Sequence, residues 1–327
     1  MASEPIRYID AYLAPFLPLL NREDVTDLFV NRPGEVWIET IDGAVERHAM
    51  PEADEARLWH LARQIASLSH QGISREHPLL AATLPDGARV QIIAPPATRG
   101  AMVLAIRKHV VPDLALNDFV AQGAFARTRF SRGPADLRTV DAPAGSDPGE
   151  LAAFLGELVR ARRNILISGG TSTGKTTFLN ALIKEIPRDE RLVLIEDTPE
   201  VQMPHENAVA LLAVKGALGE ARVSADDLLQ SALRLRPDRI ILGELRGLEA
   251  YTFLRTINTG HPGSMTTIHA DSPEGAIEQL ALIVLQSGTQ LRREDIVHYA
   301  SGVIDAVVQL ERRGGQRQVS RIAMTQS

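Results

Sequence analysis

The sequence predicts an α/β fold for the C-terminal part of the chain and a smaller α+β domain before it. Strand-like and helix-like segments alternate from residue 151 onward, a glycine-rich segment follows the first of these strands, and proline and glycine accumulate over residues 125–150. Such alternation is typical of a parallel sheet flanked by helices. At 327 residues the chain can bury two separate cores. We expect an N-terminal domain over 1–124, a linker over 125–150 and a second domain over 151–327.

The N-terminal part contains the signals of a small domain. The turn residues 31–34, Asn-Arg-Pro-Gly, separate two strand-like runs, and a longer segment has apolar residues at helical spacing. Two later runs resemble paired strands. The predicted elements are strands at 26–30, 35–39, 88–93 and 101–107 and a helix at 54–69. They predict an α+β domain with mixed strand pairing.

The C-terminal part carries clear helix boundaries. Ser224 and Asp227 have the spacing of a capping box, and the helix after them is expected to run to about Arg236, because Pro237 ends it. Ser272 is expected to cap a helix that has Pro273 in its first turn. The other predicted elements are strands at 164–168, 192–195, 239–243 and 264–269 and helices at 177–183 and 248–259.

Residues 169–176 read Gly-Gly-Thr-Ser-Thr-Gly-Lys-Thr and match the phosphate-binding pattern G-x-x-x-x-G-K-[ST]. In such a loop, backbone N–H groups and the following helix N-terminus face a triphosphate. Lys175 is expected to neutralise the β- and γ-phosphates, and the Thr176 hydroxyl to coordinate Mg²⁺. A chance match in a surface loop is the alternative, which the flanking strand and helix disfavour. The expected nucleotide-binding residues are Gly170, Thr171, Ser172, Thr173, Gly174, Lys175, Thr176 and Thr177.

Acidic residues follow two of the predicted strands. Glu244 comes directly after an apolar strand, where a carboxylate can organise Mg²⁺ or activate the attacking water; a solvated strand-end acid is the alternative. Glu196 follows the strand at 192–195 and is the first candidate to polarise water. Asp197 and Thr198 can instead cap a turn. The choice between Glu196 and Glu244 as the water-activating group stays open.

Histidine and arginine residues add candidates near the same strand ends. His269 ends a strand and is a candidate sensor of the γ-phosphate, although a lone histidine is more often an ordinary polar residue. Arg246 and Arg255 are candidates for stabilising charge during phosphoryl transfer, and a surface ion pair with Glu244 or Glu249 is the alternative.

Composition excludes several classes of protein. A net charge of −6 disfavours a protein that binds nucleic acid over its whole surface. The absence of cysteine excludes disulfides and thiolate metal sites. The apolar run at 11–20 contains two prolines and lacks a preceding basic cluster, so we expect a cytoplasmic protein without a signal peptide. We interpret two basic clusters as surface charge or weak attraction to anionic lipid. They comprise Arg160, Arg162 and Arg163, and Arg312, Arg313, Arg317 and Arg321.

Four segments together resemble the secretion ATPase superfamily, which powers type II and type IV secretion, type IV pili and conjugation. They look like its Walker A, Asp-box, Walker B and His-box motifs and lie at residues 169–177, 194–201, 235–247 and 259–273. Residues 31–37 and 87–92 are similar to the smaller type IV secretion branch. The absent tetracysteine motif of some type II relatives favours the same branch. The resemblance covers nearly the whole chain.

The resemblance implies a RecA-like P-loop NTPase domain at the C-terminus. It also implies a homohexameric ring that hydrolyses ATP with the help of Mg²⁺ and holds the nucleotide between its domains. It implies that N-terminal arginines reach the phosphates, and the matching positions are Arg89 and Arg107. Expected partners are inner-membrane components of a secretion channel, with peripheral contact to the inner membrane. Ser172 and Thr173 stand where Gly-Ser or similar small pairs are common; we expect little consequence, since both are small.

The leading functional hypothesis is a hexameric ATPase that drives assembly of a type IV secretion or conjugation apparatus, or transfer of protein or DNA through it. A pilus assembly or retraction motor and a DNA-translocating motor are the nearest alternatives. A P-loop kinase is disfavoured because no arginine-rich lid segment follows the predicted sheet. A non-catalytic nucleotide-binding scaffold is disfavoured by the acids beside the loop. Direct nucleic-acid binding stays open.

Overall fold

A computed structural model describes residues 9, 11–69, 71–108, 113–131, 147–213 and 223–325. The chain forms two compact units: the described residues up to 108 belong to the first, and those from 113 onward to the second, apart from the range that is not described between 213 and 223. Within these ranges, every helix is too short or too polar to cross a lipid bilayer.

The first unit is built on a six-stranded sheet with strand order β3-β2-β1-β6-β5-β4. Its elements are α1 (Leu17–Leu20), β1 (Val25–Val30), β2 (Glu35–Thr40), β3 (Val45–Ala49), α2 (Glu55–Leu68), β4 (Leu79–Thr83), β5 (Arg89–Ile93) and β6 (Val103–Arg107). Neighbouring strands in this described sheet all pair antiparallel, so the expected mixed pairing is wrong. The reason is that short turns connect most of the neighbouring strands, and such turns join antiparallel partners.

Sequence signals in the first unit correspond to local structure. Gly34 adopts φ 87° in the turn between β1 and β2, a backbone conformation that glycine reaches without strain. The Asp54 carboxylate accepts the N–H of Arg57 and caps α2. Leu58 and Leu61 of this helix are fully buried against the alternating apolar residues of the sheet. One face of the sheet is therefore packed.

The second unit is built on an eight-stranded sheet with strand order β10-β9-β11-β12-β8-β13-β14-β7. Its elements are α3 (Leu116–Ala121), β7 (Arg129–Ser131), α4 (Pro148–Arg160), β8 (Ile165–Gly169), α5 (Lys175–Ile183), β9 (Leu192–Glu196), β10 (Ala208–Leu212), α6 (Ala225–Ala232), β11 (Arg239–Leu242), α7 (Glu249–Asn258), β12 (Met265–Ile268), α8 (Pro273–Leu285), α9 (Arg293–Val303), β13 (Ala306–Arg313) and β14 (Gln316–Met324).

Helices cover both faces of this sheet. The strands from β10 to β13 pair parallel, and every residue of β8, β9, β11 and β12 is buried. One face packs against α4 and α5, and the other against α6, α7, α8 and α9. Strands buried on both faces read as continuous apolar runs, which is why the sequence revealed them. The predicted α/β fold is confirmed.

Three boundaries differ from the sequence-based expectation. Helix α6 ends at Ala232, earlier than expected, and Arg236, which precedes Pro237, has φ 53°, outside the helical region that proline disfavours for the residue before it. Within the predicted linker, β7 pairs with β14 and residues 148–150 begin α4, whereas 132–146 lie outside the described residues. Residues 113–124, assigned by sequence to the N-terminal domain, lie in the second unit, where the rings of Phe119 and Phe178 are 5.1 Å apart.

A buried ion pair joins three elements at the amino end of the parallel strands. Arg239 is fully buried at the start of β11, and its Nε and Nη2 donate to the two carboxylate oxygens of Glu190 at 2.7 and 2.8 Å. Its Nη1 donates to the carbonyl of Val159 in α4 at 2.6 Å. The half-exposed Arg162 approaches the same carboxylate at 3.3 Å. These bonds satisfy a buried charge that otherwise destabilises the core.

Replacing Arg239 with Met is expected to lower the free energy of unfolding by about 3 kcal/mol, because Glu190 stays buried after losing its bidentate partner. Arg160→Met is the matched control: Arg160 pairs with Glu185 at the surface, where its side chain is 50% exposed, and the loss there is expected to stay below about 1 kcal/mol. Urea denaturation followed by circular dichroism measures both. Equal losses for the two variants would contradict the structural role of the buried pair.

Candidate functional site

Parallel pairing brings the carboxyl ends of four strands to one edge of the sheet. Strands β9, β11, β12 and β8 are neighbours in that order, with Ile195 opposite Leu242 and Ile268 opposite Ser168. The segments that follow them carry the residues singled out by sequence. Since parallel strands end at the same edge, the acids, the histidine and the phosphate loop lie together.

The phosphate loop has the backbone conformation that its glycines permit. Gly174 caps α5 with φ 90°, and Ser172 adopts φ 60°. A Cβ on Gly169 would lie 2.5 Å from the Thr173 hydroxyl, so a larger residue does not fit there. The Thr173 hydroxyl donates to the Gly170 carbonyl at 2.9 Å and holds the loop closed. Thr171 is exposed in the loop, and Thr177 is buried in the first turn of α5.

Lys175 folds back onto the loop itself. Its ammonium donates to the carbonyls of Gly169 at 2.8 Å and Gly170 at 3.0 Å, and Nζ lies 3.4 Å from Nε2 of His269. Carbonyl oxygens therefore stabilise the positive charge of this ammonium. The ammonium stands at the N-terminus of α5, where a phosphate is favoured.

Thr176 is hydrogen-bonded to an acid that the sequence analysis did not select. Its hydroxyl donates to the Glu200 carboxylate at 3.1 Å. Glu196 is buried, and its carboxylate accepts the backbone N–H groups of Glu200 at 2.9 Å and Val201 at 3.0 Å. Glu196 thus holds the turn that directs Glu200 toward Thr176. No sequence signal fixes the path of this turn, which is why Glu200 was missed.

Glu244 lies between a histidine and an arginine. Its Oε1 is 3.0 Å from Nε2 of His269, and its Oε2 accepts the Nε–H of Arg246 at 2.6 Å. The Glu244 side chain is 16% exposed, so it is accessible from the site but partly shielded from bulk water. The ion pair considered for Arg246 is present. Arg255 instead lies over the Tyr251 ring at 5.8 Å, one helical turn away.

The site lowers the pKa of His269 below its ordinary value of 6.5. Burial is the main cause, and the positive charge of Lys175 adds to it, whereas Glu244 acts in the opposite direction. The imidazole is therefore neutral at pH 7. A neutral ring has one N–H, so Nε2 accepts a hydrogen bond from Lys175 only when that proton is on Nδ1.

Oxygen donors suited to Mg²⁺ are present around the loop. The Thr176 hydroxyl and the Glu200 carboxylate are adjacent, and the Glu244 carboxylate is at the same sheet edge. Over the described ranges, no group of three or more histidine and acidic side chains is placed to hold a metal by itself. The adjacent Thr176 hydroxyl and Glu200 carboxylate fit an ion that takes one or two protein ligands and completes its shell with water and phosphate oxygens.

Arg89 and Arg107, expected from the resemblance to reach phosphates, lie in the first unit. They are direct partners across the β5–β6 pair, and Arg107 Nε is 3.8 Å from the Asp27 carboxylate. Their contact with the phosphates stays a prediction.

Comparisons with known proteins agree on one family. A family model described as a type II/IV secretion system protein matches residues 10–313. The type IV secretion system protein VirB11 of Bartonella quintana is 37% identical over 341 residues, covering 98% of this chain and 94% of the relative. The crystal structure of the VirB11 ATPase from the Brucella suis type IV secretion system in complex with sulphate is 39% identical over 96% of each chain, with a TM-score of 0.50. The pilus retraction motor PilT with bound ADP gives a TM-score of 0.60 over 100% of this chain and 84% of its own; its identity of 18% shows a shared fold alone.

Two substitutions are expected to move the His269 pKa in opposite directions. Glu244→Gln lowers it further, because it removes the anion that favours the imidazolium, and Lys175→Met raises it, because it removes the nearby cation. Imidazole resonances followed by NMR during a pH titration measure both shifts. With a folded pKa below 6.5, stability is lost as pH falls from that value through the folded pKa. A rise in the Glu244→Gln variant is incompatible with this arrangement.

Proposed function

The chain belongs to the type II/IV secretion system protein family, and we propose that it hydrolyses ATP to power a type IV secretion or conjugation apparatus. One observation supports this most: the phosphate loop, Glu244 and the pair of Thr176 and Glu200 converge at the carboxyl edge of a RecA-like parallel sheet. Phosphoryl transfer requires these parts in proximity. The relatives include a protein described as an ATPase of type IV secretion.

We infer that nucleotide binding exchanges the partners of Lys175. Its ammonium now contacts two neutral carbonyls, and the β- and γ-phosphates of ATP offer it full negative charges instead. The remaining loop residues contribute backbone N–H groups from residues 170–177. When Lys175 moves toward the phosphates, Nε2 of His269 loses its contact with Lys175, and Glu244 remains beside it. His269 can then report the presence of the γ-phosphate to that carboxylate.

We propose that Thr176 and Glu244 would hold the Mg²⁺ ion that accompanies ATP. When bound with ATP, Mg²⁺ neutralises charge on the transferring phosphoryl group. The Thr176 hydroxyl would be a direct ligand, and the Glu200 carboxylate, which accepts a hydrogen bond from it, would orient it. Outer residues of this kind fix the direction of the ligand oxygen.

Glu244 is also the stronger candidate to position the attacking water. The Glu196 carboxylate is buried, and one of its oxygens accepts two backbone N–H groups and so holds a turn. Glu244 faces His269 at an accessible strand end. We assign Glu196 the positioning of Glu200, and Glu244 the orientation of water, with Arg246 stabilising its charge.

At the level of assembly, we propose a homohexameric ring that associates peripherally with the cytoplasmic side of the inner membrane through components of a secretion channel. The family assignment and the nucleotide site support this proposal. Arg89 and Arg107 then add positive charge to the bound triphosphate, and loss of the γ-phosphate weakens their hold. Such a loss of contacts is how other nucleotide-driven switches change shape.

Purified protein is expected to release phosphate from ATP only when Mg²⁺ is present, and Lys175→Ala to reduce turnover by at least about 100-fold, since a charge that stabilises the transition state is lost. Lys184→Ala is the matched control: Lys184 follows the other end of α5 and pairs with Asp113, so turnover is expected to persist. A phosphate-release assay with and without EDTA measures this. Intact ATP binding with no turnover in the wild-type protein would favour the scaffold alternative.

Arg89→Ala and Arg107→Ala are each expected to weaken ATP binding by about 10-fold, the effect of losing one charge-assisted bond to phosphate. Arg99→Ala, which removes an exposed arginine of the same unit, is expected to leave affinity unchanged. Equilibrium binding of a fluorescent ATP analogue separates these outcomes. Unchanged affinity and turnover in both arginine variants would refute their proposed role.

A further inference from the structure

The hairpin of β13 and β14 extends past the start of the phosphate loop. β13 runs parallel to β8, with Leu310 opposite Gly169, the last residue of β8. β13 continues to Arg313 and β14 returns from Gln316, so the tip of the hairpin stands beyond the point where β8 ends. At this tip Arg312 and Arg317 are direct cross-strand partners.

Strand alternation directs these two arginines to the face of the sheet that carries α5. Leu310 and Val319, each two residues away on its strand, pack in the core cluster that includes Phe178 of α5. Residues two apart on a strand share a face, so Arg312 and Arg317 lie toward the N-terminal end of this helix. Arg313, the next residue, belongs to the opposite face.

The Arg317 side chain lies against the phosphate loop. A Cβ placed on Gly174 would be 3.0 Å from Cδ of Arg317 and 3.6 Å from its Nε. Gly174 directly precedes Lys175 and caps α5. A second cation therefore stands next to the loop lysine, close to the positive end of a helix dipole.

Positive charge is thus gathered at one end of α5. Arg312 and Arg317 are cross-strand partners, and Arg317 adjoins the residue that precedes Lys175. A helix N-terminus with a lysine and a guanidinium beside it is a favourable place for a phosphate group.

We propose that Arg317, with Arg312 beside it, binds the polyphosphate of the nucleotide held by the phosphate loop. This inference rests on the proposed function and adds a cis arginine from the C-terminal hairpin to the same site. A guanidinium suits the task because its planar N–H groups match phosphate oxygens. This role replaces the interpretation of Arg312 and Arg317 as solvated surface charge. Gly174 is then the point at which the hairpin contacts the loop.

The test compares Arg317→Gln and Arg312→Gln with Arg313→Gln, which removes the same charge from the same hairpin on the other face. The affinity of each variant for a fluorescent ADP is measured with Mg²⁺ at two salt concentrations. We expect Arg317→Gln to bind about 10-fold more weakly, with a smaller salt dependence, and Arg313→Gln to match the wild type. Arg312→Gln is expected to fall between them.

Other results would contradict the inference or the proposed function. Equal affinity and equal salt dependence for Arg317→Gln and Arg313→Gln would overturn the inference, while the proposed function would stand as long as the wild-type protein hydrolyses ATP. Should Arg317→Gln alter folding, as a shifted thermal transition reveals, Arg312→Gln decides: unchanged nucleotide affinity in that variant also overturns the inference. Failure of the wild-type protein to bind nucleotide at all contradicts the proposed function itself.

Discussion

Parallel, in-register pairing of β9, β11, β12 and β8 is the constraint from which the site follows. Each strand is buried on both faces, so the side chains within it pack the core and chemistry is confined to the residues where the strands end. Those ends supply the phosphate loop, the turn held by Glu196, the Glu244 carboxylate and His269. A shift of register in one strand would move its acid away from the loop and place its side chains against the wrong layer of helices.

Electrostatics at this edge differ from those of the chain as a whole. The protein has a net charge of −6, yet cations gather around the loop. Lys175 is held by two carbonyls, Arg246 by the Glu244 carboxylate, and Arg317 lies against Gly174. The two neutral carbonyls hold the Lys175 ammonium less strongly than a phosphate does, so this cation can exchange partners when an anion binds. A bound triphosphate therefore gains from positions that the fold already fixes.

Features that depend on residues close together in the sequence could be predicted from it, whereas features that depend on distant residues could not. The buried strands, the loop and the caps at Ser224 and Ser272 are local, and apolar runs or short motifs identified them. The β1–β6 pair and the edge strand β7 depend on partners far along the chain, and there the expectations failed or were silent. Glu200 and Arg317 reach the loop through a turn and a hairpin whose paths no local signal specifies.

The proposed ring motor requires coupling between subunits, because each nucleotide site has to respond to its neighbours. The most direct measurement is ATP turnover in mixtures of wild-type and Lys175→Ala subunits at fixed total protein, after subunit exchange has been verified. Activity is expected to fall more steeply than the wild-type fraction, since an inactive subunit stalls its neighbours. A fall in strict proportion to that fraction would show independent sites and contradict the ring motor.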